Sequence, residues 1–219
     1  LPEGYIDSLR EQYDEQLIEQ ELLGEFVNLT SGKAYRSFNR DIHVQEFETP
    51  KGHTYVGMDF NVDPSTCVFA KVVDGVIWFY DEIFLRNSDT PEMAIEIAKK
   101  DSTATIIPDS TGANRKTSGA TDFMMLEQAG FKIMSTRNPF VIDRINNMNR
   151  LFKLNRIVVH PRCKKLINDF EKVVWKEGAN ILDQKTDRLL THCSDGAGYL
   201  ANRLMPMAQL TQKVYSQRK

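Results

Sequence analysis

Three aspartates and a histidine carry the chemistry this chain offers. Asp59 stands on an alternating run in which Val56, Met58, Phe60 and Val62 form one row and Tyr55, Gly57, Asp59 and Asn61 the other. Asp59 therefore faces away from the apolar row. Asp109 follows the short run Thr103–Pro108 and opens the loop Ser110-Thr111-Gly112, at a strand's carboxyl end, where open α/β sheets place their ligands. Asp195 begins a late helical stretch, three residues after His192. Carboxylates from a strand, a second strand end and a helix make a cage for two hard divalent cations, because Mg²⁺ takes oxygen ligands and keeps several waters. Two such ions about 3.5–4 Å apart activate a water and stabilise the leaving oxygen in phosphodiester hydrolysis. Cations also account for the cluster, since three bare acids would repel and raise one another's pKa. Each acid has a plainer reading as a turn or cap residue; Asp109 before Ser-Thr-Gly has the form of an Asx-turn.

Other side chains admit two readings each. Arg115 and Lys116, just past Asp109, are placed to hold phosphates, with a solvated loop as the alternative. Arg144, Arg150, Lys153 and Arg156, with Arg162, Lys164 and Lys165 after them, read first as solvated charge runs and only second as a DNA groove. Lys176, Lys185 and Arg188 have the same two readings. Asp63 before Pro64 reads as a turn residue before it reads as an accessory acid. Gly196 and Gly198 each weaken a helix by about 1 kcal/mol, which a close approach to a sheet or to DNA would explain. His160-x-x-Cys163 and His192-Cys193 match no structural zinc spacing.

The elements that must position these residues follow from periodicity. Leu1–Leu23 carries Ile6, Leu9, Tyr13 and Leu17 at helical spacing with Gly24 placed to end it, and Glu25–Phe38 holds a hairpin around Ser31-Gly32. Residues 1–45 thus read as a connector and residues 46–219 as the functional domain. After the Asp59 strand, Thr66–Val73 and Val76–Leu85 are joined by Asp74-Gly75, a strong hairpin signal, so three antiparallel strands come first. Thr90 and Pro91 suit the N-cap and N1 of a helix carrying Met93, Ala94, Ile97 and Ala98. Alternating elements follow: strand 103–108, helix 121–129 closed by Gly130, strand 131–135, and a helix opened by Asn138-Pro139 with Val141, Ile145, Met148 and Phe152 on one stripe. Strand 156–160, a helix over Leu166–Val174, a polar hairpin at 176–188 and a last helix from about His192 to Pro206 complete the chain. In that last helix Ala197, Leu200, Ala201 and Leu204 form the packing side, and Asp195, Tyr199 and Asn202 the other. Three antiparallel strands followed by parallel β-α units predict an α/β fold with a mixed sheet.

Composition narrows the classes. Lys and Arg number 28 against 30 Asp and Glu, so any nucleic-acid contact must come from a local patch and not from the global field. No apolar run is long enough for a membrane span, and no signal-peptide pattern opens the sequence. Three dispersed cysteines (Cys67, Cys163, Cys193) make no disulfide framework and fit a reducing compartment. Leu at position 1 reads as a fragment of a longer chain.

Three phrases together resemble the nuclease domain of large terminase subunits from tailed double-stranded DNA bacteriophages. They are Gly57-Met58-Asp59-Phe60-Asn61-Val62-Asp63-Pro64, the strand end Pro108-Asp109-Ser110, and His192-Cys193-Ser194-Asp195-Gly196-Ala197-Gly198-Tyr199. Leu22-Leu23-Gly24-Glu25-Phe26 resembles the segment leading out of that protein's packaging ATPase. The resemblance implies an RNase H-like fold and a metal-dependent endonuclease that cuts concatemeric double-stranded phage DNA with two Mg²⁺ or Mn²⁺ ions. It maps the metal ligands onto Asp59, Asp109 and Asp195, with Asp59 bridging and the other two each flanking one ion, and sets His192 beside them as a ligand or proton carrier. It further implies partners in an ATPase motor domain, a small terminase subunit and a portal, work in the host cytoplasm and transiently at the procapsid, and a monomeric isolated domain. No Gly-x-x-x-x-Gly-Lys-Ser/Thr stretch is present, so only the cutting half of such a machine is expected here. Junction resolvases and hybrid ribonucleases share the fold and stay open, as does a non-catalytic docking module. A four-acid exonuclease is disfavoured because Asp59-Phe60-Asn61 lacks the Asp-x-Glu motif.

Overall fold

A computed structural model describes residues 32–115, 119–135, 137–176, 181–183 and 187–207. The expected helix over 1–23 and most of the hairpin after it lie outside the described residues, as do Lys116, the tip of the polar hairpin and Lys185.

Six strands form one mixed sheet: β1 (Tyr55–Asp59), β2 (Ser65–Val73), β3 (Val76–Leu85), β4 (Thr105–Pro108), β5 (Lys132–Ile133) and β6 (Ile157–Val159). Their order across the sheet is β5-β4-β1-β2-β3-β6. The β1–β2 and β2–β3 pairs are antiparallel, whereas β1–β4, β4–β5 and β3–β6 are parallel. Asp74 and Gly75 both take positive φ, as a tight two-residue hairpin turn requires. The helices are α1 (Arg40–His43), α2 (Thr90–Asp101), α3 (Asp122–Gln128), α4 (Val141–Lys153), α5 (Lys164–Lys172) and α6 (His192–Leu204).

Both faces of the sheet are covered, which is why β1 is buried from Val56 to Asp59 and not on one side only. Val56, Met58, Cys67 and Phe69 meet Met93, Ile97 and Leu126 of α2 and α3 on one face. Val68, Ala70, Ile77 and Phe79 meet Ile145, Phe152, Phe170 and Leu200 of α4, α5 and α6 on the other. Ala34, Tyr35 and His43 belong to this second side and are buried there, with Lys33 bridged to Val174.

Three element starts differ from the sequence reading. The N-cap of α2 is Asp89, not Thr90: its carboxylate accepts the Glu92 amide at 3.0 Å and Glu92 reaches back, completing a capping box. Thr90 moves to the first helical position and gives its hydroxyl to Asp122. Helix α4 begins at Val141 after Phe140, because Asn138 is engaged elsewhere. Strand β5 shrinks to two residues at the sheet edge. Near the polar hairpin, Trp175 and Leu182 form an antiparallel bridge, the described base of that segment.

Candidate metal centre

The carboxyl ends of β1 and β4 lie side by side, with Met58 paired to Pro108 and the Asp109 amide bonded to the Met58 carbonyl at 2.9 Å. Asp59 and Asp109 therefore leave neighbouring parallel strands at the same edge. Helix α6 brings Asp195 to that edge by lying directly on β1. A Cβ on Gly57 would fall 2.2 Å from the Gly196 carbonyl oxygen, and one on Gly196 would fall 3.0 Å from that of Gly57. Both positions admit only glycine without displacement of the helix. Gly196 is thus explained by approach to the sheet, as its cost within a helix demanded. Gly198 has a different cause: its missing Cβ leaves room for the Arg144 side chain, whose Cδ would be 2.6 Å away.

Each acid is held by donors of its own. Asp59 is 5% exposed, and its Oδ2 accepts from Asn61 Nδ2 at 3.0 Å and faces His192 Nδ1 at 2.9 Å. His192 Nε2 lies 3.0 Å from the Arg188 carbonyl. Acceptors thus lie at both ring nitrogens, and the Asn61 amide nitrogen also stands 3.1 Å from Nδ1. Burial opposes a charge on the ring, but the hydrogen bond and charge of Asp59 outweigh it and raise the His192 pKa. Asp109 Oδ1 accepts from the Thr111 amide at 2.7 Å and from Asn138 Nδ2 at 2.7 Å, while Asn138 Oδ1 takes the Ser110 amide at 2.9 Å. The Asx-turn reading of Asp109 is thus realised. Asp195 Oδ1 is bound by the Arg144 guanidinium. Burial pushes the Asp195 pKa up to about 6; Arg144 and His192 pull it down, and the charges of Asp59 and Asp109 raise it further.

Asp59 and Asp109 thus leave adjacent strand ends, His192 contacts Asp59, and Asp195 shares the first turn of α6 with His192. Among the described residues, however, no three His, Cys, Asp or Glu side chains converge closely enough to hold an ion as they stand. Each carboxylate instead meets nearby donors: Asn61 and His192 at Asp59, Thr111 and Asn138 at Asp109, and Arg144 at Asp195. The donor set itself, three carboxylates and one imidazole, is the oxygen-rich kind that suits Mg²⁺ or Mn²⁺.

The start of α6 carries a second device. Thr191 precedes the helix with φ of 81°, a costly conformation for a β-branched residue, and its side chain does not cap the helix. Buried Asp169 of α5 does so instead, accepting the Ser194 amide at 2.9 Å. Burial raises the Asp169 pKa to about 7, against the lowering effect of that hydrogen bond. The first turn of α6, which bears His192 and Asp195, is therefore anchored from a neighbouring helix.

The other candidates fall outside this centre. Arg115 is exposed in the loop beyond the Ser110–Ala113 turn, and Asp63 pairs with Arg86. Of the basic residues along and after α4, Arg144 turns inward, contrary to its reading as part of a solvated face or groove, whereas Lys153 and Arg156 are exposed as a solvated run would be. Arg144 is 3% exposed, Arg150 bonds the Met205 carbonyl at 3.2 Å, and Arg156 bonds that of Asp74 at 3.2 Å. Sequence reasoning misses Asn138, Asn61, Asp169 and the inward role of Arg144 as site features. The Asn138-Pro139 signal is read as a helix start, and nothing in spacing marks a buried arginine.

The fold recurs in solved large terminases. In the large terminase from a thermophilic bacteriophage, solved in complex with ADP, the match has a TM-score of 0.78 at 22% identity, covering 93% of this chain and 52% of that one. This chain thus spans about half the length of that terminase. The P22 large terminase nuclease domain matches with a TM-score of 0.62 at 17% identity, over 80% of this chain and 93% of that one. The nuclease domain of the large terminase from bacteriophage SPP1, solved with bound Mn, matches at 0.55 and 20% identity, over 74% and 95%. No protein-family profile and no curated protein matches the chain. The mixed six-stranded sheet flanked by helices is the RNase H-like architecture of these nuclease domains.

Proposed function

We propose that the chain is the nuclease part of a large terminase, a metal-dependent endonuclease that cuts concatemeric double-stranded phage DNA during genome packaging. The observation that carries this reading is the meeting of the β1 and β4 carboxyl ends, which bear Asp59 and Asp109, with the first turn of α6, which bears Asp195 and whose His192 contacts Asp59. Asp59, on the central strand, would bridge two Mg²⁺ or Mn²⁺ ions, with Asp109 and Asp195 each flanking one. When bound, the ions supply an activated water and stabilisation of the departing oxygen.

The chain's own groups do the rest. Asn61 and Asn138 orient Asp59 and Asp109 through the hydrogen bonds described above. His192, in contact with Asp59 through Nδ1, serves as the proton carrier. Arg115, with Lys116 beside it in sequence, holds the DNA backbone near the strand ends. Arg144 is excluded from that task by burial. An ATPase motor domain, a small terminase subunit and the portal are the proposed partners, in the host cytoplasm and transiently at the procapsid.

The test is cleavage of supercoiled plasmid. The protein is expected to nick or linearise it with Mn²⁺ or Mg²⁺, to stop on addition of EDTA, and to lose at least about 10²-fold of its rate in Asp59→Asn. Cleavage that survives both treatments overturns the assignment. Parallel reactions on a four-way junction and an RNA–DNA hybrid separate the terminase reading from a resolvase or a hybrid ribonuclease.

A further inference from the structure

Arg144 is placed where a nuclease centre has least obvious use for an arginine. It rises from α4, its side chain is 4% exposed, and its Nη2 is bound to Asp195 Oδ1, whose own side chain is 16% exposed. The guanidinium carbon stands 4.6 Å over the ring of Tyr199, one helical turn beyond Asp195 on α6. Gly198 lacks the Cβ that would block its path, and its Nε is buried with no hydrogen-bond partner. A cation so enclosed cannot reach a phosphate, and its desolvation is expensive unless something offsets it. The offset is the charge of Asp195, bound directly to the guanidinium.

Resting on the reading of this pocket as a metal centre, we propose that Arg144 is an internal countercation. Its pairing with Asp195 opposes metal binding at the same carboxylate. The cation and the ion compete for one oxygen and repel each other across a shielded gap, so each weakens the other by the same factor. The ring of Tyr199, 4.6 Å from the guanidinium carbon, keeps a favourable face toward the cation when Asp195 is taken. The centre therefore fills only at high ion concentration, and Arg144 acts as a positioning residue that holds Asp195 ready in the meantime.

Isothermal titration of Mn²⁺ into wild type, Arg144→Met, Arg144→Lys and Asp195→Asn tests this without reference to cleavage. Arg144→Met is expected to bind Mn²⁺ at least about tenfold more tightly than wild type, Arg144→Lys to lie between, and Asp195→Asn to bind more weakly. A purely structural arginine predicts no tightening, so equal or weaker binding by a natively folded Arg144→Met overturns the inference. If that variant does not fold, Mg²⁺ titration of the wild type followed at the Arg144 side-chain ¹⁵Nε–H resonance decides. The resonance is expected to shift in step with the amides of Asp59 and Asn61, and its constancy while they move overturns the proposal. Absence of Mn²⁺ binding in both wild type and Arg144→Met overturns the metal reading itself, and the inference with it.

Discussion

Gly57→Ala is the sharpest perturbation of the centre that touches none of its side chains. The new Cβ would lie 2.2 Å from the Gly196 carbonyl oxygen, 2.7 Å from the Gly196 carbonyl carbon and 3.1 Å from Leu200 Cβ. The two closest atoms are backbone, so no rotamer change relieves them, and α6 must retreat from β1 by more than about 1 Å to restore ordinary contact. Overpacking of this kind costs about 1–3 kcal/mol, which for a domain of this size lowers Tm by about 2–12 °C. The same retreat carries His192 and Asp195 away from Asp59. The 2.9 Å contact between His192 Nδ1 and Asp59 Oδ2 would pass beyond hydrogen-bond range. A displacement near 1 Å at a reacting centre costs about 10²-fold in rate, so cleavage is expected to fall further than stability. Gly196→Ala, whose Cβ would meet the Gly57 oxygen at 3.0 Å, is expected to show the same pattern in milder form. Calorimetry and Mn²⁺-dependent plasmid nicking on the two variants check this. A Gly57→Ala protein with wild-type Tm and wild-type nicking would show that the helix does not rest on the strand as described.

Two further outcomes follow from the supporting residues. Asn138→Ala leaves Asp109 with the Thr111 amide and frees the Ser110 amide; losing a hydrogen bond to a charged group costs about 1.5–3 kcal/mol, so a lower Tm and slower nicking are expected, and an unchanged melt would contradict the role given to Asn138. Asp169 has a folded pKa raised to about 7, above its unfolded value of about 3.9, so its contribution to stability is complete below about pH 4 and is lost as pH rises through 7. Asp169→Asn keeps an acceptor for the Ser194 amide and is expected to lose less stability than wild type between about pH 4 and pH 7, the window set by these pKa values; parallel pH dependences in calorimetry would refute the assignment.

The frame of the site is readable in one dimension because it depends on local pattern. Alternation along 55–62 orients Asp59 away from Val56 and Met58, and Asp74-Gly75 declares the hairpin that makes the first three strands antiparallel. Asp109 sits at a strand's carboxyl end as its sequence context implies, and the helical cost of Gly196 is matched by a close approach to the sheet. What periodicity misses is decided by partners far along the chain. Arg144 follows Asp143 and precedes Ile145 on an amphipathic helix with other basic residues, and only the gap at Gly198, on another helix, makes it an inward residue. Asn138 carries the signature of a helix start, yet it is spent on Asp109, 29 residues away. Asp169 looks like one polar position on α5 until α6 is laid against it with its first turn uncapped. Even Thr90 yields the N-cap to Asp89, because Asp122 offers its hydroxyl a partner that no local rule contains.

Anomalous diffraction from crystals soaked in Mn²⁺ tests the central claim most directly. The account predicts two peaks at the carboxyl edge of β1 and β4, one against Asp59 and Asp109 and one against Asp59 and Asp195, with the Arg144 guanidinium turned from Asp195. Peaks elsewhere, or none at a concentration that saturates binding in solution, would contradict it.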